Sequence, residues 1–244
     1  MNTEKIELLE KTVAANPKDH KSWYELGLEF FETDFQKARE CFSMAIAQEP
    51  FNAEYVFRRG WKCLSADCYE EAMADFALAI RLAPIDGFKW HYLANSYYFL
   101  GQYEQAAEYY RMAITMYQKT GVNLIPPAVD WIWMCNMRLG RKDAAKAIVD
   151  EFITPDIPVD DSDLVYKKRV LLYAGYTKID DFMANINVSD DCENITERYA
   201  AANYYRYILG DTAKAKELLE EVLKVPTMHH AFGYKLARRE ISEL

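Results

Sequence analysis

No stretch of this chain is apolar for long enough to cross a membrane, and no hydrophobic signal core or lipidation cysteine stands near its start. Met1 to Lys5 lead directly into an amphipathic segment, so the expectation is a cytoplasmic protein, or a periplasmic or surface one if a leader has been removed. Also missing is any Cys-x-x-Cys pair. The five cysteines, Cys41, Cys63, Cys68, Cys135 and Cys192, are odd in number and read as reduced structural thiols. There is no Gly-x-x-x-x-Gly-Lys-Ser/Thr, no Gly-x-Ser-x-Gly and no His-Glu-x-x-His, the spacings used for phosphate cradling, acyl transfer and zinc hydrolysis. A metal around His229, His230 and Glu240 can be imagined. Adjacent histidines diverge on a helix, however, and the carboxylate lies more than two turns away, so a capping or surface role fits better. The expectation is therefore a non-catalytic chain with no cofactor and no metal. Low-complexity tracts and strand-like alternation are absent as well.

The net charge of −9 argues against nucleic acid, whose phosphates reward the opposite sign. Apolar residues make up 51% of the 244, ample for a continuous core. Their arrangement is periodic. Ala38…Phe42…Ala45-Ile46 returns as Ala72…Phe76…Ala79-Ile80 and again as Ala106…Tyr110…Ala113-Ile114, in two steps of 34 residues. Ahead of each set stands a second helical pattern: Trp23, Leu26, Gly27 and Phe30; then Val56, Gly60 and Cys63; then Trp90, Leu93, Ala94 and Tyr97. Pro17, Pro50 and Pro84 stop a helix each, since proline cannot continue one.

Trp-x-x-Leu-Gly with a following aromatic, then Ala-x-x-x-Phe-x-x-Ala and a terminal proline, resembles the tetratricopeptide repeat family over about 19–116. That resemblance implies an all-α solenoid of helical hairpins, a right-handed superhelix closed by capping helices, on which a protein or peptide is held. The segments expected are an N-terminal cap at 1–18, three regular repeats at 19–118, degenerate helix pairs at 119–225 and a C-terminal cap at 226–244.

The register breaks after the third repeat, because Ala145 lies 39 residues beyond Ala106; 117–126 reads as an insertion. Trp131 to Gly140 and Lys142 to Phe152 form a fourth pair, Leu164 to Tyr173 and Ile179 to Ile186 a short fifth, and Thr196 to Leu209 with Thr212 to Leu223 a sixth. Between the fourth and fifth lies a loop rich in proline and aspartate, Thr154 to Asp163. Asn187-Val-Ser and Asn194-Ile-Thr match the glycosylation pattern and read as chance occurrences. Trp131-Ile-Trp, Ala202-Asn-Tyr-Tyr-Arg-Tyr-Ile-Leu-Gly-Asp and His230-Ala-Phe-Gly-Tyr-Lys-Leu-Ala-Arg-Arg-Glu make the part from Val129 onward similar to bacterial NlpI-type lipoproteins, which implies an envelope adaptor for peptidoglycan hydrolases.

In each regular repeat, the stripe beside the packing face of the first helix lines the concave side that the resemblance implies. Those stripes are Tyr24, Leu28 and Phe31; Phe57, Trp61 and Leu64; and His91, Asn95 and Tyr98. Later counterparts are Asp130, Met134 and Met137, then Ala200, Tyr204 and Tyr207. Aromatic residues supply much of the energy at interfaces, so these nine are the expected partner-binding groove. Packing against neighbouring helices is the competing use, and filling by a second copy of the chain would give a homodimer. A clamp for a partner's C-terminal carboxylate is rejected, because Tyr24 and Leu28 stand where its lysine and asparagine would, although Arg58 and Arg59 are near.

Overall fold

The structure is a computed structural model that describes residues 3–186, 189 and 191–244. Asn187 and Val188 of the first glycosylation-type triplet lie outside the described residues. Among those described there are fourteen α-helices and no strand, and the chain divides into two compact units, Met1–Thr120 and Gly121–Leu244.

The first unit holds α1 (Thr3–Ala15), α2 (His20–Glu29), α3 (Phe35–Gln48), α4 (Ala53–Ser65), α5 (Tyr69–Leu82), α6 (Gly87–Phe99) and α7 (Tyr103–Thr120). Short polar residues set most of the starts. Asp34 accepts a hydrogen bond from Lys37 N at 3.0 Å, Asn52 from Glu54 N at 3.1 Å and Asp86 from Phe88 N at 3.0 Å, each satisfying a donor that the first turn leaves orphaned. The hairpins α2/α3, α4/α5 and α6/α7 close because small residues face aromatic ones. A Cβ on Gly27 would stand 2.6 Å from the Phe42 ring, and one on Gly60 3.0 Å from the Phe76 ring. Ala38, Phe42, Ala45, Ala72, Phe76, Ala79, Ala106, Tyr110 and Ala113 are all fully buried. Ile6, Leu9 and Val13 of α1 join the same core as Leu26, Phe30 and Phe42.

Residues 117–120 continue α7, which runs to 18 residues where α3 and α5 have 14. The expected insertion is therefore mostly added helix. Met116 and Tyr117 carry the apolar face one turn further, and both are buried.

The second unit holds α8 (Ile125–Arg138), α9 (Lys142–Phe152), α10 (Leu164–Tyr173), α11 (Ile179–Ala184), α12 (Cys192–Tyr204), α13 (Thr212–Leu223) and α14 (Phe232–Glu240). Its centre is α8, in which every residue from Pro126 to Met137 is buried. Pro126 and Pro127 open that helix, where a missing N–H costs nothing. The helices α9 and α10 pack on it, while α12 and α13 form a hairpin that α14 covers. A charged pair sits inside: Arg169 Nε is 2.9 Å from Asp130 Oδ1, with both side chains sealed from solvent. The Trp133 and Tyr173 rings stack at 3.8 Å between centroids. Glu240 of α14 accepts from the Tyr199 hydroxyl at 2.7 Å and is ion-paired with Arg138, which ties the terminal helix down.

Candidate functional site

The stripes expected on α2, α4 and α6 divide by burial. Tyr24 and Trp61 are half-buried and Leu28 is exposed. Phe31 and Phe57 are buried with ring edges in contact with the half-open ones. Leu64, His91, Asn95 and Tyr98 are core residues, which corrects their expected place in an open groove. For the last three the reason lies in α6, nine of whose 13 residues are buried, so that helix is packed on nearly every side and has no free stripe to present. Asn95 Oδ1 accepts from the Tyr110 hydroxyl at 2.5 Å, and Tyr98 packs edge-on to Tyr103 at 5.1 Å. The competing use, packing within the repeat, is the one these four residues serve.

His91 lies edge-on to Tyr110 at 5.1 Å and near Tyr92 and Tyr117. Burial pushes its pKa down to about 3, so the imidazole is neutral at physiological pH and is no sensor near neutrality.

What remains accessible is a compact aromatic platform on α2 and α4. Trp61 is at its centre, 5.3 Å from Phe31, 5.8 Å from Phe57 and 4.5 Å from Tyr92. Arg58 lies over it, its guanidinium carbon 5.5 Å from the Trp61 ring and 5.6 Å from Phe31, while its Nε donates to Glu54 Oε1 at 2.6 Å. Tyr24 stacks on Tyr55 at 4.8 Å and closes one end. Below, Lys62 is almost wholly buried, donating to the Phe31 carbonyl at 2.7 Å with its ammonium 3.4 Å from the Phe31 ring centroid. The platform is thus backed by a buried ammonium and bordered by the Arg58–Glu54 pair, an arrangement whose half-open rings accept an apolar side chain beside a polar flank. Tyr92 was not on the expected stripe. Its neighbour His91 takes the stripe position, and only the turn of α6 brings Tyr92 against Trp61.

In the second unit, Asp130, Met134, Met137 and Ala200 of the later stripes are buried, whereas Tyr204 and Tyr207 are half-exposed. Arg206 lies over the Tyr207 ring at 5.1 Å. Glu240 is committed to Tyr199 and Arg138 rather than aimed at a metal, and no group of three or more metal-type ligands occurs among the described residues. No helix among the described residues is long and apolar enough to span a membrane.

Two tetratricopeptide repeat profiles match the chain, at residues 30–86 and 90–120. A peroxisomal targeting signal receptor of Eremothecium gossypii is 32% identical over 102 residues, 41% of this chain and 18% of that receptor. The chain thus matches under a fifth of the length of this curated relative. Among solved structures, the apo form of RapI superposes with a TM-score of 0.71 at 11% identity, covering 98% of this chain and 69% of that one. YrrB, a tetratricopeptide repeat protein with an unusual peptide-binding site, gives 0.51 at 17% identity, covering 98% and 100%. MamA gives 0.55 at 20% identity, covering 59% and 81%. At these identities the likeness is one of fold.

Proposed function

Because the chain is a tetratricopeptide repeat protein, we propose that it is a non-catalytic adaptor whose first unit holds a segment of a partner protein on the platform around Trp61. The repeat family and the likeness to a targeting-signal receptor support protein–protein interaction as the class of function. The observation that carries the finer reading is the half-open pair Trp61 and Tyr92 under Arg58, backed by the buried rings of Phe31 and Phe57. Rigid rings give a large contact area at little cost in rotamer freedom, and the guanidinium adds direction.

Peptides selected from a random phage-displayed library against the wild-type protein test this reading. Trp61→Ala should weaken the selected peptides by about 2 kcal/mol or more, roughly thirtyfold, with the circular dichroism spectrum retained. Selected peptides that bind Trp61→Ala as tightly as wild type would remove the platform from consideration.

A further inference from the structure

The other face of the first unit differs from repeat to repeat. Aligned helix by helix, Trp23, Val56 and Trp90 are equivalent, as are Phe30, Cys63 and Tyr97 on the first helices and Cys41, Asp75 and Tyr109 on the second. In the third repeat Tyr109 stacks on Tyr97 at 5.0 Å and on Trp90 at 6.0 Å, closing the surface. In the second, Asp75 takes two hydrogen bonds from Arg59, at 2.8 and 2.6 Å. In the first, the position holds only the Cys41 thiol. A cavity of about 1010 Å³ opens there among α1, α2, α3, α4 and α5. Val13, Trp23, Leu26, Phe30, Cys41 and Met44 supply its apolar lining.

Its rim carries an unbalanced charge. Arg39 is taken up by Glu71 at 2.5 Å and Arg59 by Asp75, and Lys37, over the Phe30 ring at 4.9 Å, is the one cation left on the rim against Glu10 and Glu40. Glu10 and Glu40 have no cation paired to them among the described residues; Glu40 accepts only from Gln36, at 2.8 Å. The Cys41 thiol registers this potential: burial first, then Glu40 and Glu10, push its pKa up to about 12 against the pull of Lys37.

We propose that this groove is a second docking site, for a partner's peptide segment that places an aromatic side chain on Trp23 and Phe30 and a flanking lysine or arginine at Glu10 and Glu40. The aromatic is specified by the third repeat, which fills the equivalent space with its own phenol ring. The basic flank is specified by Glu10 and Glu40, which carry no ion pair among the described residues and leave the rim with one more carboxylate than cations, and the volume admits several side chains but no folded domain. The site lies off the Trp61 platform, since Trp23, Leu26 and Phe30 stand on a different side of α2 from Tyr24 and Leu28.

The test uses the full chain and a fluorescein-labelled peptide of three Lys-Lys-Trp-Leu units, read by anisotropy at physiological salt, beside its twin of Glu-Glu-Trp-Leu units. Wild type should bind the lysine peptide saturably and the glutamate twin at least about tenfold more weakly. The double variant Glu40→Lys with Met44→Lys should lose the lysine peptide by about tenfold or more. Both positions are exposed, so the fold should persist, as circular dichroism would verify. Cys41→Tyr should mimic the third repeat and block the groove, while Trp61→Ala should leave this affinity unchanged. Equal binding of the two peptides, or none, overturns the proposal. So does undiminished binding to the double variant, which would mean that the overall negative charge alone attracts the peptide. Loss of binding in Trp61→Ala would assign the peptide to the platform instead and equally overturn it.

Discussion

The first and third repeats share a backbone plan and use their side chains in opposite ways. In the third, Tyr97, Tyr98, Tyr109 and Tyr110 fill the hairpin and its outer face, and His91 and Asn95 are drawn inside with them. In the first, Leu28 stands exposed on one side, Tyr24 is half-open beside it, and Cys41 leaves a hollow on the other. The lesson is that a repeat period specifies where a side chain points and leaves open whether anything covers it. The first and third repeats carry the same Trp-x-x-Leu and alanine spacing, yet accessible recognition surface is greatest in the first two. A repeat that supplies its own aromatic closes its outer face; one that places a thiol there leaves room for something else.

Three changes test the contrast, from the largest expected effect to the smallest. Phe42→Ala removes the ring that seats against Gly27, in a hairpin whose outer face is already hollow. A loss of about 3–5 kcal/mol is expected in urea unfolding, at the upper end if the existing cavity prevents collapse around the gap.

Next comes a pH effect confined to the third repeat. His91 titrates near 6.5 when unfolded and at about 3 when buried, so the unfolded chain takes up the proton first. Its contribution is fully present above pH 6.5 and is lost as pH falls toward 3, roughly 3 kcal/mol by about pH 4. Urea midpoints at neutral and acid pH should converge for His91→Phe relative to wild type. An unchanged acid limb in that variant would mean that the imidazole is reached by water.

Smallest is Tyr109→Cys, which gives the third repeat the residue of the first. Two stacked pairs are lost, at a cost of about 1–2 kcal/mol. Trp90 should then become more accessible to acrylamide quenching, as Trp23 already should be.

Much of the fold was legible in the sequence because its determinants are local. Prolines and Asp or Asn caps mark the ends, and the alanine–aromatic spacing marks the faces that meet, as Gly27 against Phe42 and Gly60 against Phe76 show. The platform was half legible. Tyr24, Leu28 and Trp61 are accessible as the stripe implied, but the interior place of Asn95 depends on a hydroxyl fifteen positions away in the chain. Asp130 and Arg169 carry the same message in the second unit. Nothing near either residue announces that they neutralise one another inside an otherwise apolar helix pack.

Two indoles in the first unit also act as fasteners. Trp23 Nε1 donates to the Pro17 carbonyl at 3.0 Å and Trp90 Nε1 to the Pro84 carbonyl at 2.8 Å, each pinning the corner where one helix ends to the helix that follows. The corner at Pro50 has Val56 in the corresponding position and no such pin. Two of the unit's three corners thus carry an indole pin that the third lacks. Phe51, 80% exposed, stands at that unpinned corner between α3 and α4, an apolar ring left facing solvent where the other two corners are sewn to the next helix.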